Sequence, residues 1–216
     1  MRITVIGCLH GYHPKLDGGD ILIVTGDITA RGKSYEYIEF KQWLLKQDYK
    51  KIIFIAGNHD QLIEMGRFKF TDWGNIEYLC NSGTEYENLK IWGSPNSLWF
   101  PEINPHCAAF TGNEDDLKKE YDKIPDDIDI LITHTPPHGI LDANKAGIHC
   151  GSIALREAVE RVKPTYHFFS HIHEANGYCM LKSEGYGEEN NTHCYNVSIM
   201  DEYYRPINKP FNIEIK

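Results

Sequence analysis

The chain has 216 residues, 41% of them hydrophobic and 25% charged, with a net charge of −9. That length can bury a full core, and it reads as a single domain over 1–216. There is no Lys/Arg-rich block of the kind long nucleic acid polymers need, and no apolar stretch approaches a membrane span.

In chain order, short runs rich in β-branched residues alternate with helical patterns. Ile3–Ile6 predicts a first strand and Ile21–Thr25 a second, separated by a loop that holds His10. Ser34–Lys46 predicts a helix capped by Ser34, with Tyr37, Ile38, Phe40, Lys41, Leu44 and Leu45 on its apolar face. A strand over Lys51–Ala56 closes a βαβ unit, and a short helix with a loop is expected over 61–75. Short strands follow at Glu77–Cys80, Thr84–Tyr86 and Lys90–Gly93. Ser94–Thr111, with Pro95, Trp99, Phe100, Pro101 and Pro105, reads as a long ordered loop. Its aromatics either line a pocket or pack as a lid on the core; both readings stay open. An acidic helix over Glu114–Lys123 ends before Pro125.

The second half repeats the logic: strand Ile128–Thr133, loop Thr135–His149, helix Ser152–Val162 and strand Tyr166–Phe169. Strands at Gly177–Leu181, His193–Ser198 and Phe211–Ile215 complete the pattern, with a polar hairpin loop over Ser183–Asn191. Two halves that each supply a sheet predict an α/β fold, a two-sheet β-sandwich flanked by helices. The start of the chain lacks a signal-peptide layout, and its six cysteines show no Cys-x-x-Cys spacing. Reduced thiols and a cytoplasmic location are therefore expected.

Five polar clusters sit directly after predicted strands: Gly7-Cys8-Leu9-His10-Gly11, Gly26-Asp27, Gly57-Asn58-His59-Asp60, Thr133-His134 and Ser170-His171-Ile172-His173. In open α/β sheets the carboxyl edge of the strands is where ligands bind. One rim thus gathers imidazoles, a carboxylate, a carboxamide and a thiol, the donors of a metal site.

This ordered set resembles the calcineurin-like metallophosphoesterase superfamily, whose pattern is Asp-x-His, Gly-Asp, Gly-Asn-His-Asp/Glu, a lone His and Gly-His-x-His. Thr133–Gly139, His171–Glu174, Lys90–Pro95 and the stretch Asn196–Pro210 are similar to the branch that holds the brain metallophosphoesterase-domain phosphodiesterases. The resemblance implies a four-layer α/β/β/α fold and two divalent metal ions, Mn, Fe or Zn. One ion would take Cys8, His10, Asp27 and His173; the second would take Asp27, Asn58, His134 and His171. A hydroxide bridging them would attack phosphorus, His59 would protonate the leaving oxygen, and Asp60 would orient His59 or a neighbouring ligand. The implied activity is a metal-dependent phosphodiesterase acting on a small phosphoester or nucleotide substrate, cyclic nucleotides included. A phosphomonoesterase, or a nucleotide-binding regulator whose catalysis has weakened, is the alternative.

Each residue also has an ordinary structural reading. His134 could be a core histidine, Asn58 a helix cap, and His171 and His173 would face opposite ways in a continuing strand. Among histidines without a motif match, only His138 and His149 lie close enough to His134 in sequence to be pocket candidates. Cys8 stands where the family has Asp. Three outcomes are open: thiolate ligation that favours Zn or Fe, a weakened first site, or an oxidation-sensitive one.

Overall fold

The computed structural model describes residues 1–70, 73–182 and 191–215. The first part of the chain runs β1 (Arg2–Ile6), β2 (Gly19–Thr25), α1 (Ser34–Leu44), β3 (Tyr49–Ile55), α2 (Gln61–Glu64) and β4 (Ile76–Tyr78). A central stretch follows with β5 (Ser82–Tyr86), β6 (Leu89–Ser94), the two-residue β7 (Ser97–Leu98) and β8 (Thr111–Gly112), then α3 (Glu114–Tyr121). The remainder is β9 (Ile130–Thr133), α4 (Ile153–Val162), β10 (Tyr166–Phe169), a 3₁₀ turn at His173–Ala175, β11 (Gly177–Leu181), β12 (Thr192–Asn196) and β13 (Phe211–Glu214).

One sheet has the order β13-β1-β2-β3-β4 and the other β11-β12-β10-β9-β6-β5. Their central strands are parallel, with an antiparallel β13 on the first and antiparallel β11 and β5 on the edges of the second. Side-chain alternation decides the layering. Ile3, Val5, Ile21, Ile23, Ile53 and Ile55 point at the second sheet, where Ile91, Ile130, Ile132 and Phe168 meet them. The intervening Ile6, Leu22, Val24, Ile52 and Phe54 pack outward on Tyr37, Phe40, Trp43 and Leu44 of α1. On the far side, Leu131 packs on α3 and α4 through Leu117, Tyr121, Leu155 and Val159. The result is the expected α/β/β/α sandwich. Among the described residues no helix is long and apolar enough to cross a membrane.

Local details depart from the sequence reading. Ser34 is the first helical residue rather than the cap; Lys33 takes that place, its N–H donating to the Glu36 carboxylate at 2.8 Å. The buried face of α1 is Tyr37, Phe40, Trp43 and Leu44, while Ile38 and Leu45 are exposed. A 100° step per residue puts Ile38 and Leu45 on the solvent flank, so hydrophobicity alone misplaces them. The 94–111 stretch is not wholly loop, because β7 and β8 pair in parallel within it. Most of the expected Ser183–Asn191 hairpin loop lies outside the described residues.

Candidate metal centre

All five clusters emerge at the carboxyl ends of parallel strands. Cys8 and His10 follow β1, Asp27 follows β2, Asn58, His59 and Asp60 follow β3, His134 follows β9, and His171 and His173 follow β10. An isolated parallel bridge from Gly7 to Ser198 ties the two sheets together at this rim. The backbone turns sharply as it leaves each strand. Cys8, His10, Asp27 and His171 all have positive φ, 52°, 45°, 51° and 71°. Such conformations cost roughly 1–3 kcal/mol each for residues with a side chain and gather at functional sites. Because the strand stops at Phe169 and His171 is left-handed, His171 and His173 both turn inward instead of alternating.

Two glycines make the close approach feasible. A Cβ on Gly26 would lie 2.5 Å from the Ala56 carbonyl and 2.7 Å from His134 Nδ1. One on Gly57 would collide with Asp27 Oδ1 and lie 2.6 Å from His134 Cε1. Asp60 is fully buried and accepts four hydrogen bonds, from the N–H groups of Gly57, Ile28 and Thr29 and from the Thr29 hydroxyl. It therefore orients Asp27 and Asn58 by locking their two loops together, and does not touch the His59 ring.

Asp27 is the hub. Its Oδ2 lies 3.4 Å from His134 Nε2, 3.6 Å from His10 Nε2 and 4.0 Å from His59 Nε2. Its Oδ1 accepts the His59 backbone N–H at 3.0 Å. His10 Nε2 and His173 Nε2 are 3.1 Å apart, and His134 Nε2 lies 3.2 Å from His171 Nδ1 and 2.9 Å from Asn58 Oδ1. The orientation of these atoms is fixed from behind. His134 Nδ1–H donates to the Thr25 carbonyl, His173 Nδ1–H to the Asp201 carbonyl, and the Asn58 amide nitrogen to the Cys107 carbonyl.

Those outer bonds leave the lone-pair atoms of His173 and Asn58 facing into the site, where His134 Nε2 joins them once it gives up its proton. Two ligand atoms about 2.1 Å from a shared ion lie about 3.0–3.4 Å apart, and the observed spacings match. Cys8, His10 and His173 offer ligand atoms within 4.8 Å of one another, as do Asp27, His134 and His171. Burial, only partly offset by Asp27, holds His10 well below the usual imidazole range. Burial and then His134 bring His171 down to about 3. Neutral imidazoles are the form that binds cations. His134 differs: burial pulls it down, but the Asp27 carboxylate outweighs that and pushes it up to about 9. The donors fit divalent cations, which would replace that proton.

Cys8 is fully buried, and its Sγ accepts the His171 backbone N–H at 3.1 Å and the Ser198 hydroxyl at 3.5 Å. Burial first, then the charge of Asp27, push its thiol up, so a cation must displace the proton to bind sulfur. His59 Nδ1 bonds the Ala30 carbonyl at 2.9 Å, which turns Nε2 toward Asp27 and the cleft. Burial lowers this ring as well, but Asp27, followed by Cys107 and Ala30, raise it to about 10.

His138 and His149 do not join the centre. Both lean on the buried Asp142, at 3.9 Å and 2.7 Å. Several contributors are invisible in the sequence. Tyr204 sets its ring 4.8 Å from His10 and 5.1 Å from His173, and Cys107 Sγ lies 3.7 Å from His59 Nδ1. The Asn196–Pro210 stretch carries a resemblance that covers Ser198, Asp201 and Tyr204, but no signal for what each touches.

The family model of the calcineurin-like phosphoesterases matches residues 1–175. A Caenorhabditis elegans UPF0046 protein is 35% identical over 190 residues, covering 78% of this chain and 66% of its own length. Human metallophosphoesterase domain-containing protein 1 is 30% identical over 241 residues, covering 96% of this chain and 70% of its own. The chain thus spans about two thirds of the length of these relatives. A solved structure from Thermus thermophilus superposes with a TM-score of 0.63 at 14% identity, covering 100% of this chain and 99% of that one, which shows the shared fold.

Proposed function

Since the chain belongs to the calcineurin-like phosphoesterase family, whose members carry out metal-dependent phosphoester hydrolysis, we propose that it is a phosphodiesterase acting on small phosphodiesters. One observation carries the choice of diester over monoester. The cleft above the donors, about 190 Å³, is lined by Asn104, Ile172, Glu174, Glu202 and Tyr204 in addition to the site residues, with no lysine or arginine. A monoester brings two negative charges to the reacting phosphoryl group at neutral pH, and besides the cations only the His59 imidazolium would offset them. A diester brings one. The Glu174 carboxylate at the rim penalises the dianion further, whereas Glu202 is paired with Lys145.

In this reading Cys8, His10, Asp27 and His173 would hold one ion, and Asp27, Asn58, His134 and His171 would hold the other. Manganese, iron or zinc bound there supplies the Lewis acidity that polarises a phosphoryl group and acidifies a water. The histidines and Asp27 fix where the phosphoryl oxygens sit. His59, its Nδ1–H held by Ala30, gives its Nε2 proton to the departing ester oxygen as the P–O bond breaks. Long nucleic acids are not the substrate class, given the net charge of −9. A cytoplasmic location belongs to the same reading and is supported by six free cysteines.

The test compares bis-p-nitrophenyl phosphate with p-nitrophenyl phosphate, each with added manganese, iron or zinc. We expect the diester to be preferred. His59→Ala should cost about 10²–10⁴-fold on a diester with an alkyl leaving group and far less with p-nitrophenolate, which leaves without a proton. Equal losses for both leaving groups would remove His59 as the acid.

A further inference from the structure

A phosphodiester has two substituents, and the cleft borders two further spaces, of opposite character. The first is an annex of about 250 Å³ that shares Asn58, Asn104, His171, Ile172 and Glu174 with the cleft. Its other walls include three apolar side chains, Leu98 and Phe100 at the end of β7 and Ile103, which is 81% exposed, beside Asn144, Cys107 and Cys150. An isoleucine held so open to water, beside a half-buried phenylalanine and over the buried Ile172, is a surface suited to being covered by a ligand. The Glu174 carboxylate and the Asn104 and Asn144 amides border the same space, so a planar group laid there meets both acceptors and donors. Its size suits one ring system rather than a large ligand.

The second adjoins the cleft at His59 alone. This ring lines the cleft and also a groove of about 550 Å³ whose other walls include Arg31, Lys33, Gln61 and His106. Arg31 and Lys33 are exposed, and neither makes an ion pair among the described residues. They are presented by the 30–33 turn, which is tied down by the buried Glu36 carboxylate through the Ala30, Arg31 and Lys33 N–H groups. Elsewhere the mouth is crossed by an ion pair, Lys145 with Glu202 at 2.5 Å, which also bonds the Tyr203 hydroxyl at 3.1 Å.

We propose that the substrate is an unsymmetrical, acyclic phosphodiester whose retained substituent is a planar nucleobase-like group held in the Phe100 annex, and whose leaving alcohol carries an anionic group bound by Arg31 and Lys33. The inference rests on the phosphodiesterase reading and deepens it. His59 assigns the direction, because the group that departs must do so past the proton donor. Water oxygen bonds to phosphorus and gives up a proton to solvent, the bond to the leaving oxygen breaks, and the His59 proton ends on the released alcohol, after which His59 takes a proton back from solvent. The annex side keeps the new phosphate as a monoester. A cyclic diester, whose two ester oxygens belong to one substituent, cannot fill both spaces at once.

The probes are adenosine 5′-phosphate esterified to glycerol, and the same ester with a terminal phosphate on the glycerol. Release of adenosine monophosphate from each is followed chromatographically with manganese, iron or zinc present. The phosphorylated probe should have a kcat/KM at least tenfold higher, and the ratio should shrink as ionic strength rises, because exposed charges are screened. Arg31→Glu with Lys33→Glu, or the milder Arg31→Gln with Lys33→Gln, should bring the ratio to one or below; a ratio within one protein is independent of how much of that protein is active. Phe100→Ala should lower kcat/KM about tenfold on both probes alike. Equal rates on the two probes, or release of free adenosine instead of its monophosphate, would overturn the proposal while turnover of bis-p-nitrophenyl phosphate keeps the parent reading intact. Failure to hydrolyse any diester with any of the three metals would overturn the parent reading, and this one with it.

Discussion

A sulfur ligand at position 8 would change which cation the first group of donors prefers. Aspartate would offer a hard oxygen that accepts magnesium or manganese, whereas a thiolate favours zinc or iron. The structure surrounds Cys8 Sγ with an N–H and an O–H, from His171 and Ser198, and with two imidazoles in ligand range. Hydrogen-bond donors of this kind stabilise negative charge on sulfur. Cobalt-loaded parent protein should therefore show a near-ultraviolet sulfur-to-cobalt charge-transfer band that Cys8→Asp and Cys8→Ser both lack. Elemental analysis should find Cys8→Asp richer in manganese and Cys8→Ser poorer in metal overall. Unchanged metal content and an absent band in the parent would mean that sulfur is not a ligand. Positions like this are legible in the sequence because each donor directly follows a strand whose β-branched run announces itself. Ser198, Cys107 and Tyr204 are not, since each acts on a residue far away in the chain and only tertiary structure brings them together.

At the scale of elements, the turn between β2 and α1 does more for the site than its sequence suggests. The buried Glu36 carboxylate accepts the N–H groups of Ala30 at 2.8 Å, Arg31 at 3.2 Å and Lys33 at 2.8 Å. The carbonyl of Ala30 in turn fixes the His59 ring. Sequence reading caps α1 with Ser34 because serine is a strong cap, and it overlooks that a glutamate at the third helical position can satisfy the same donors from inside the helix. Glu36→Ala should leave several buried N–H groups unpaired, costing about 1–3 kcal/mol in denaturant unfolding. It should also lower kcat more than it raises KM for a diester with a poor leaving group, because His59 loses its anchor. Glu36→Gln, which keeps part of the acceptor, should fall between the two. A variant with parent stability and parent kcat would show that the turn holds itself. The strands, by contrast, are readable to within about two residues at each end, as hydrogen-bond ladders follow the apolar runs closely. The stretch over 94–111 is not, because β7 and β8 are two residues each and pair only through contacts that proline-rich sequence does not signal.

Across the whole molecule, the metal centre is a seam. His10, Asp27 and Asn58 rise from strands of the first sheet, and His134, His171 and His173 from strands of the second. Away from this rim, where the Gly7–Ser198 bridge and the hydrogen bonds of His134 and Ser170 with Thr25 cross between the sheets, the described residues meet through apolar side chains such as Ile23, Ile55, Ile132 and Phe168. That packing is non-directional and tolerates sliding better than a coordination bond does. Cations that bind donors from both sheets should therefore stabilise the fold as a unit and fix how the sheets meet. At a free metal concentration a hundredfold above Kd the linkage is about 2.7 kcal/mol. For a chain of this size that corresponds to a rise in Tm of roughly 5–10 °C, reversed by a chelator. Asp27→Ala removes the shared carboxylate and should abolish the metal-dependent increment, whereas Ile132→Ala should lower Tm in both conditions and leave the increment in place. Calorimetry on the parent with and without manganese, iron or zinc decides the matter: no increment with any of them would mean that the rim holds no cation across the two sheets.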